Sequence, residues 1–154
     1  MELKKKYRSI VYKRRLTLPY GRALDCLTGD CPWPETQIGR EIGYAMDFYP
    51  DLEPRVFLSY ERASWYAPES GLRITFDDAI RFRTADLTLD SDLWGTALLR
   101  PDQVLMELKA PGAIPLWMVR LLTEMGLYKT SFSKYGTAYQ ILLEQEYKGG
   151  KRYA

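Results

Sequence analysis

Between Leu72 and Arg83 the side chains alternate in character. Leu72, Ile74, Phe76, Ile80 and Phe82 occupy even positions, whereas Arg73, Thr75, Asp77, Arg81 and Arg83 occupy odd ones and are mostly charged. A repeat of two residues belongs to an extended strand with one face in a core and the other in water, the pattern of an antiparallel sheet. A partner strand is expected over residues 55–66, turned into this one by Pro68-Glu69-Ser70-Gly71. Beyond it, a loop with Asp86, Asp90, Ser91 and Asp92 leads past Trp94 to a strand in which Val104, Met106 and Leu108 alternate with Glu107 and Lys109, stopped by Pro111-Gly112.

Residues 2–18 read as two further strands turning at Arg8-Ser9. Pro19 suits the first turn of a short helix carrying Ala23, Leu24 and Leu27 and closed near Gly29. From Pro34, Ile38, Ile42, Met46 and Tyr49 share one face of a longer helix that Pro50 ends. Pro115 opens a third helix with Leu116, Val119, Leu122 and Met125 inward, ended by Gly126. Ser133 is the expected N-cap of a fourth, with Ala138, Tyr139, Ile141 and Leu142 inward before Gly149-Gly150. The order predicts an α+β fold: an antiparallel β-sheet whose apolar face is covered by about four helices. A length of 154 residues fits one domain, expected over residues 1–150 with a tail at 151–154.

Composition narrows the chemistry. The 22 Lys plus Arg nearly balance 20 Asp plus Glu, so net charge gives no general attraction to nucleic acid or membrane, and no nucleic-acid partner is expected. Histidine is absent, which excludes Ser-His-Asp and Cys-His catalysis and histidine metal sites. Cys26 and Cys31 cannot complete a zinc site by themselves and read as two idle thiols, with a short-loop disulfide as the alternative. No signal peptide is legible at the basic start, and no apolar run approaches the roughly 20 residues of a membrane helix, so a cytoplasmic location is expected.

Taken singly, Lys4, Lys13, Arg15, Arg73, Arg81, Arg83 and Lys109 are ordinary solvated charges. Together, several strands each place two cations opposite their apolar side, and a curled sheet would bring these onto one concave surface that suits a polyanion. Arg offers a planar fork for phosphate oxygens and Lys a compact charge. Glu107 would serve as a hard oxygen ligand for a divalent ion. Lys134 lies in the first turn of a helix, where a cation is unfavourable unless an anion is near.

Five ordered segments carry a family resemblance: Glu2-Leu3-Lys4 with Val11-Tyr12-Lys13-Arg14-Arg15, Tyr60-Glu61-Arg62-Ala63, Leu72-Arg73-Ile74-Thr75-Phe76-Asp77, Met106-Glu107-Leu108-Lys109, and Phe132-Ser133-Lys134-Tyr135. With them the chain resembles the VTC-type polyphosphate polymerase domain, a branch of the triphosphate tunnel metalloenzymes. The resemblance implies part of a β-tunnel in which a nucleoside triphosphate gives its γ-phosphate to polyphosphate with Mn2+ or Mg2+. It implies that Lys4, Arg73 and Lys134 act on the reacting phosphates, that Lys13, Arg15, Arg62, Lys109 and Ser133 bind phosphate with Arg81 or Arg83 adding to the lining, and that Glu107 holds the metal. Family members carry further strands before the segment matched at Met1, so a second copy or another chain is expected to complete the wall. The alternative is a binding module for polyphosphate, nucleotide or inositol phosphates without turnover. A third possibility is that Met1 is not the true start and a longer product carries the function.

Overall fold

The computed structural model describes residues 1–8 and 10–150. Ser9, half of the expected first turn, and the expected tail 151–154 lie outside the described residues. The fold is α+β with antiparallel sheets, and the chain falls into two compact units, Met1–Glu53 and Pro54–Ala154. No described helix is long and apolar enough to cross a membrane.

The first unit holds β1 (Glu2–Tyr7), β2 (Ile10–Arg15), α1 (Tyr20–Thr28) and α2 (Gln37–Phe48). The β1–β2 hairpin is a sheet of its own, paired from Glu2↔Arg15 to Tyr7↔Ile10, with Arg8 in the left-handed region at the turn. Pro19 precedes α1 as its N-cap, and Gly29 ends it in a left-handed conformation. Leu24 and Leu27 stay more than two-fifths exposed, and Cys26 is the buried residue of α1. Its thiol is free and lies 2.9 Å from that of Cys31. In α2 the Thr36 hydroxyl caps the helix by accepting from the Gly39 N–H, so the helix starts after Pro34. Ile42 faces inward as expected, with Gly39 and Ala45, whereas Tyr49 is the exposed C-cap.

The second unit holds β3 (Phe57–Ala67), β4 (Leu72–Arg83), β5 (Thr96–Ala97), β6 (Leu105–Lys109), α3 (Leu116–Glu124) and α4 (Lys134–Gly150). Central β4 pairs β3 on one side and β5 and β6 on the other, and the sheet does not close into a barrel. Gly71, at φ 65°, turns β3 into β4; a Cβ there would lie 2.8 Å from the Pro111 ring. The short β5 has too little alternation to be read from sequence.

The alternation of β4 breaks in its middle. Pairing runs from Ala67↔Leu72 to Glu61↔Asp78 and resumes at Ser59↔Arg81, so two steps on β3 face three on β4. This is a β-bulge, and Ala79 within it sits at φ 47°. One extra residue exchanges the faces. Ile80 and Phe82 therefore share a face with Arg73, Thr75 and Asp77, and all but Arg73 in that group are buried. Ile74 and Phe76 lie on the other face, where Phe76 is 36% exposed and meets Trp65 edge to face at 5.5 Å.

α4 covers the face that the bulge creates. Ala138 is fully buried against Ile80, Phe82 and Leu98, with Ile141 and Leu142 beside it. Tyr139, expected inward, is 44% exposed and stacks on Tyr135. α4 also runs through the Gly149-Gly150 pair expected to end it. In α3 the expected inward stripe is largely exposed; Leu116, Val119 and Met125 are in water and Met118 is the buried residue.

The bulge moves Arg81 and Arg83 off the face that carries Arg73, which corrects the expected lining. Arg81 is exposed and donates to the Gly95 carbonyl at 3.3 Å. Arg83 is 3% exposed and uses all five N–H donors on the loop that follows, reaching the carbonyls of Asp86, Thr88, Asp92 and Trp94 and the Ser91 hydroxyl. Its guanidinium carbon lies 3.6 Å from the centre of the Phe57 ring, directly across the ladder.

Two stability outcomes follow in urea unfolding. Ala79→Gly, which relieves a left-handed alanine, raises stability by about 0.5–1 kcal/mol. Arg83→Met removes the five hydrogen bonds that this buried guanidinium makes to the loop and lowers stability by more than about 2 kcal/mol.

Candidate functional site

Residues directly opposite one another in an antiparallel ladder share a face. The half of the second-unit sheet before the bulge thus forms three rows: Tyr66–Arg73–Lys109, Ser64–Thr75–Glu107 and Arg62–Asp77–Leu105. Tyr60 extends the face along β3, and α4 brings Lys134 to it from above Asp77. Five expected site residues, Arg62, Arg73, Glu107, Lys109 and Lys134, are gathered here.

Asp77 organises one side. It is 1% exposed, and its carboxylate accepts from Arg62 Nε at 2.5 Å, from a second Arg62 nitrogen at 2.7 Å, and from Lys134 Nζ. The Arg62 hydrogen bonds hold the Asp77 carboxyl below the usual range, with Lys134 assisting against the opposing effect of burial. The same pairing raises the Arg62 pKa. The Tyr60 ring lies 5.0 Å from the Arg62 guanidinium carbon and 4.4 Å from Lys134 Nζ, a cation–π contact to each. Ser133 does cap α4, its hydroxyl accepting from the Gly136 N–H at 3.2 Å. The anion that makes a lysine acceptable in that first turn is Asp77. The position of Lys134 called for such a partner; only the fold says which carboxylate supplies it.

On the other side of the face the charges are open. Arg73 is exposed, with no ion pair or hydrogen bond among the described residues, and stands directly opposite Lys109. Glu107, two residues before Lys109, bonds its ammonium at 2.9 Å and keeps its side chain 44% exposed. Among the described residues no group of three or more His, Cys, Asp or Glu could hold a metal. Glu107 would therefore hold a divalent ion with fewer than three such protein ligands, a ligand's phosphate oxygens completing the shell, a mode common for Mg2+. Between the two sides lies Thr75, buried, a residue that nothing in the sequence distinguishes from an ordinary strand threonine.

The first-unit hairpin carries its own group. Glu2, Lys4, Lys13 and Arg15 share a face through the pairs Glu2↔Arg15 and Lys4↔Lys13. Glu2 contacts Lys13 at 2.7 Å and Arg15 at 2.5 Å, and these hydrogen bonds lower its pKa to about 2. Lys4 Nζ lies 3.9 Å from the same group, so one exposed carboxylate serves three cations.

The family model of the VTC domain matches residues 1–143. No curated protein and no solved structure matches the chain.

Asp77→Asn removes the charge that two buried-side cations share and lowers stability near neutral pH by about 3 kcal/mol. Because the folded-state pKa of Asp77 is depressed, its contribution is present above the usual carboxylate range and disappears as the pH falls below about 4. Urea midpoints of the two proteins therefore converge on acidification.

Proposed function

The chain belongs to the VTC domain family, and from that premise we propose that it is a polyphosphate-synthesising phosphotransferase domain, moving the γ-phosphate of a nucleoside triphosphate onto polyphosphate with a divalent metal. The observation that carries this reading is the pairing of like charges. Arg73 stands directly opposite Lys109, and in the hairpin Lys4 stands opposite Lys13. Like charges so placed destabilise a ladder. An anion with several oxygens, bound over such a pair, removes the repulsion and gains charge-assisted hydrogen bonds.

In this reading Arg73 and Lys109 grip a phosphate chain along the open side of the sheet. Arg62 and Lys134, pre-positioned by Asp77, present their remaining donors to the next phosphate. Lys4, Lys13 and Arg15 offer the same ligand chemistry on the hairpin of the first unit, and in the second unit Arg73 and Lys134 act on the reacting groups. Glu107 would hold Mn2+ or Mg2+, which supplies neutralisation of charge on the phosphate oxygens. Phosphoryl transfer depends mainly on positioning and charge stabilisation, so a chain without histidine is equipped for it. Since the four strands do not close on themselves, a second copy or another chain is the proposed source of the remaining wall.

A second reading, a module that holds polyphosphate, nucleotide or inositol phosphates without turnover, is favoured by one contact. The Glu107 carboxylate is held by Lys109, and among the described residues it belongs to no group of three or more acids or thiols that could hold a metal.

With ATP and Mn2+ or Mg2+, the purified chain is expected to form acid-labile polymer. Glu107→Gln abolishes that turnover and leaves metal-free tripolyphosphate binding within about twofold, whereas Arg73→Ala weakens that binding about tenfold or more. Salt-sensitive tripolyphosphate binding without polymer or released phosphate selects the binding module, and absence of both overturns the reading.

A further inference from the structure

At the middle of the cationic face one polar atom has nothing to bond. Among the described residues, Thr75 Oγ1 is the buried side-chain oxygen or nitrogen without a hydrogen-bond partner. Thr75 as a whole is 6% exposed. Its row neighbours are Ser64 and Glu107, and Arg73 and Asp77 flank it along β4. Both row neighbours carry oxygens that could serve it, and neither is within hydrogen-bonding distance.

An unpaired buried hydroxyl is costly, because it has given up water and gained nothing in return. Valine has the same branched shape and fits a strand equally well, so packing alone gives no reason for the oxygen. We infer that Thr75 is a ligand-positioning residue, whose hydroxyl donates a hydrogen bond to a phosphate oxygen of the polyanion gripped by Arg73 and Arg62. The inference rests on the phosphate-binding reading above and adds a residue that reads geometry rather than charge. Cations on rotatable stems attract an anion from many directions; a short β-branched hydroxyl fixed at the centre of a sheet accepts one placement. Its neighbours on the face, Ser64 and Arg62 together with Glu107 and Arg73, reach solvent, so the hydroxyl lies among side chains that a ligand can meet.

The test compares wild type, Thr75→Val and Thr75→Ser for free-protein Tm and for tripolyphosphate affinity by calorimetry at several ionic strengths. Thr75→Val is expected to raise the Tm of the free protein and to weaken tripolyphosphate binding about tenfold. That loss stays constant across ionic strengths, since no charge has been removed. Thr75→Ser keeps affinity within about threefold of wild type, the hydroxyl being retained. Unchanged affinity in Thr75→Val overturns the inference while leaving the phosphate-binding reading intact. A lowered Tm in Thr75→Val also overturns it, because the hydroxyl would then have a partner, such as a trapped water, before any ligand arrives. Failure of wild type to bind tripolyphosphate overturns the phosphate-binding reading itself.

Discussion

The buried carboxylate of Asp77 is the interaction around which the second unit is arranged. An ionised group this far from water is tolerated only with its charge matched and its lone pairs occupied. Arg62 meets it from the neighbouring strand and Lys134 from the first turn of α4. Strand and helix are thereby tied at one point, four residues ahead of the place where Ala138 seats the same helix on Ile80 and Phe82. The carboxylate also lies by the positive end of α4, where a negative charge is favoured. Apolar packing and ion pairing thus specify the same placement of the helix.

That arrangement works only because of the bulge at Ala79. Without the extra residue, the apolar alternation of β4 would put Ile80 and Phe82 on the side away from Asp77, and one helix could not cover all three. A local cost in backbone strain lets a single strand present a polar half and an apolar half to the same layer. The boundary between them divides the face functionally: core beyond the bulge, cations before it.

Much of this was legible in sequence. The strands at residues 55–66 and 72–83, the Ser133 cap and the inward Ala138, Ile141 and Leu142 follow from period and capping chemistry. So does the gathering of Arg73, Glu107 and Lys109, because all three lie on one side of the bulge, where the two-residue repeat holds. Arg81 and Arg83 fall beyond it, and no residue type announces an alanine at positive φ. The amphipathic stripe of α3 misled for a different reason: periodicity says which residues could be buried together, not whether a partner surface exists. Asp77 looked like a solvated acid because its two partners lie 15 and 57 residues away in the chain.

Arg83 has a consequence of another kind. Four of its five bonds go to main-chain oxygens, and only Ser91 contributes a side chain. The path of the loop between β4 and β5 is therefore encoded outside the loop, in one guanidinium at the end of a strand. Most side chains along that path are free to drift over evolutionary time while its course is preserved, and a comparison of loop sequences alone would miss the inheritance.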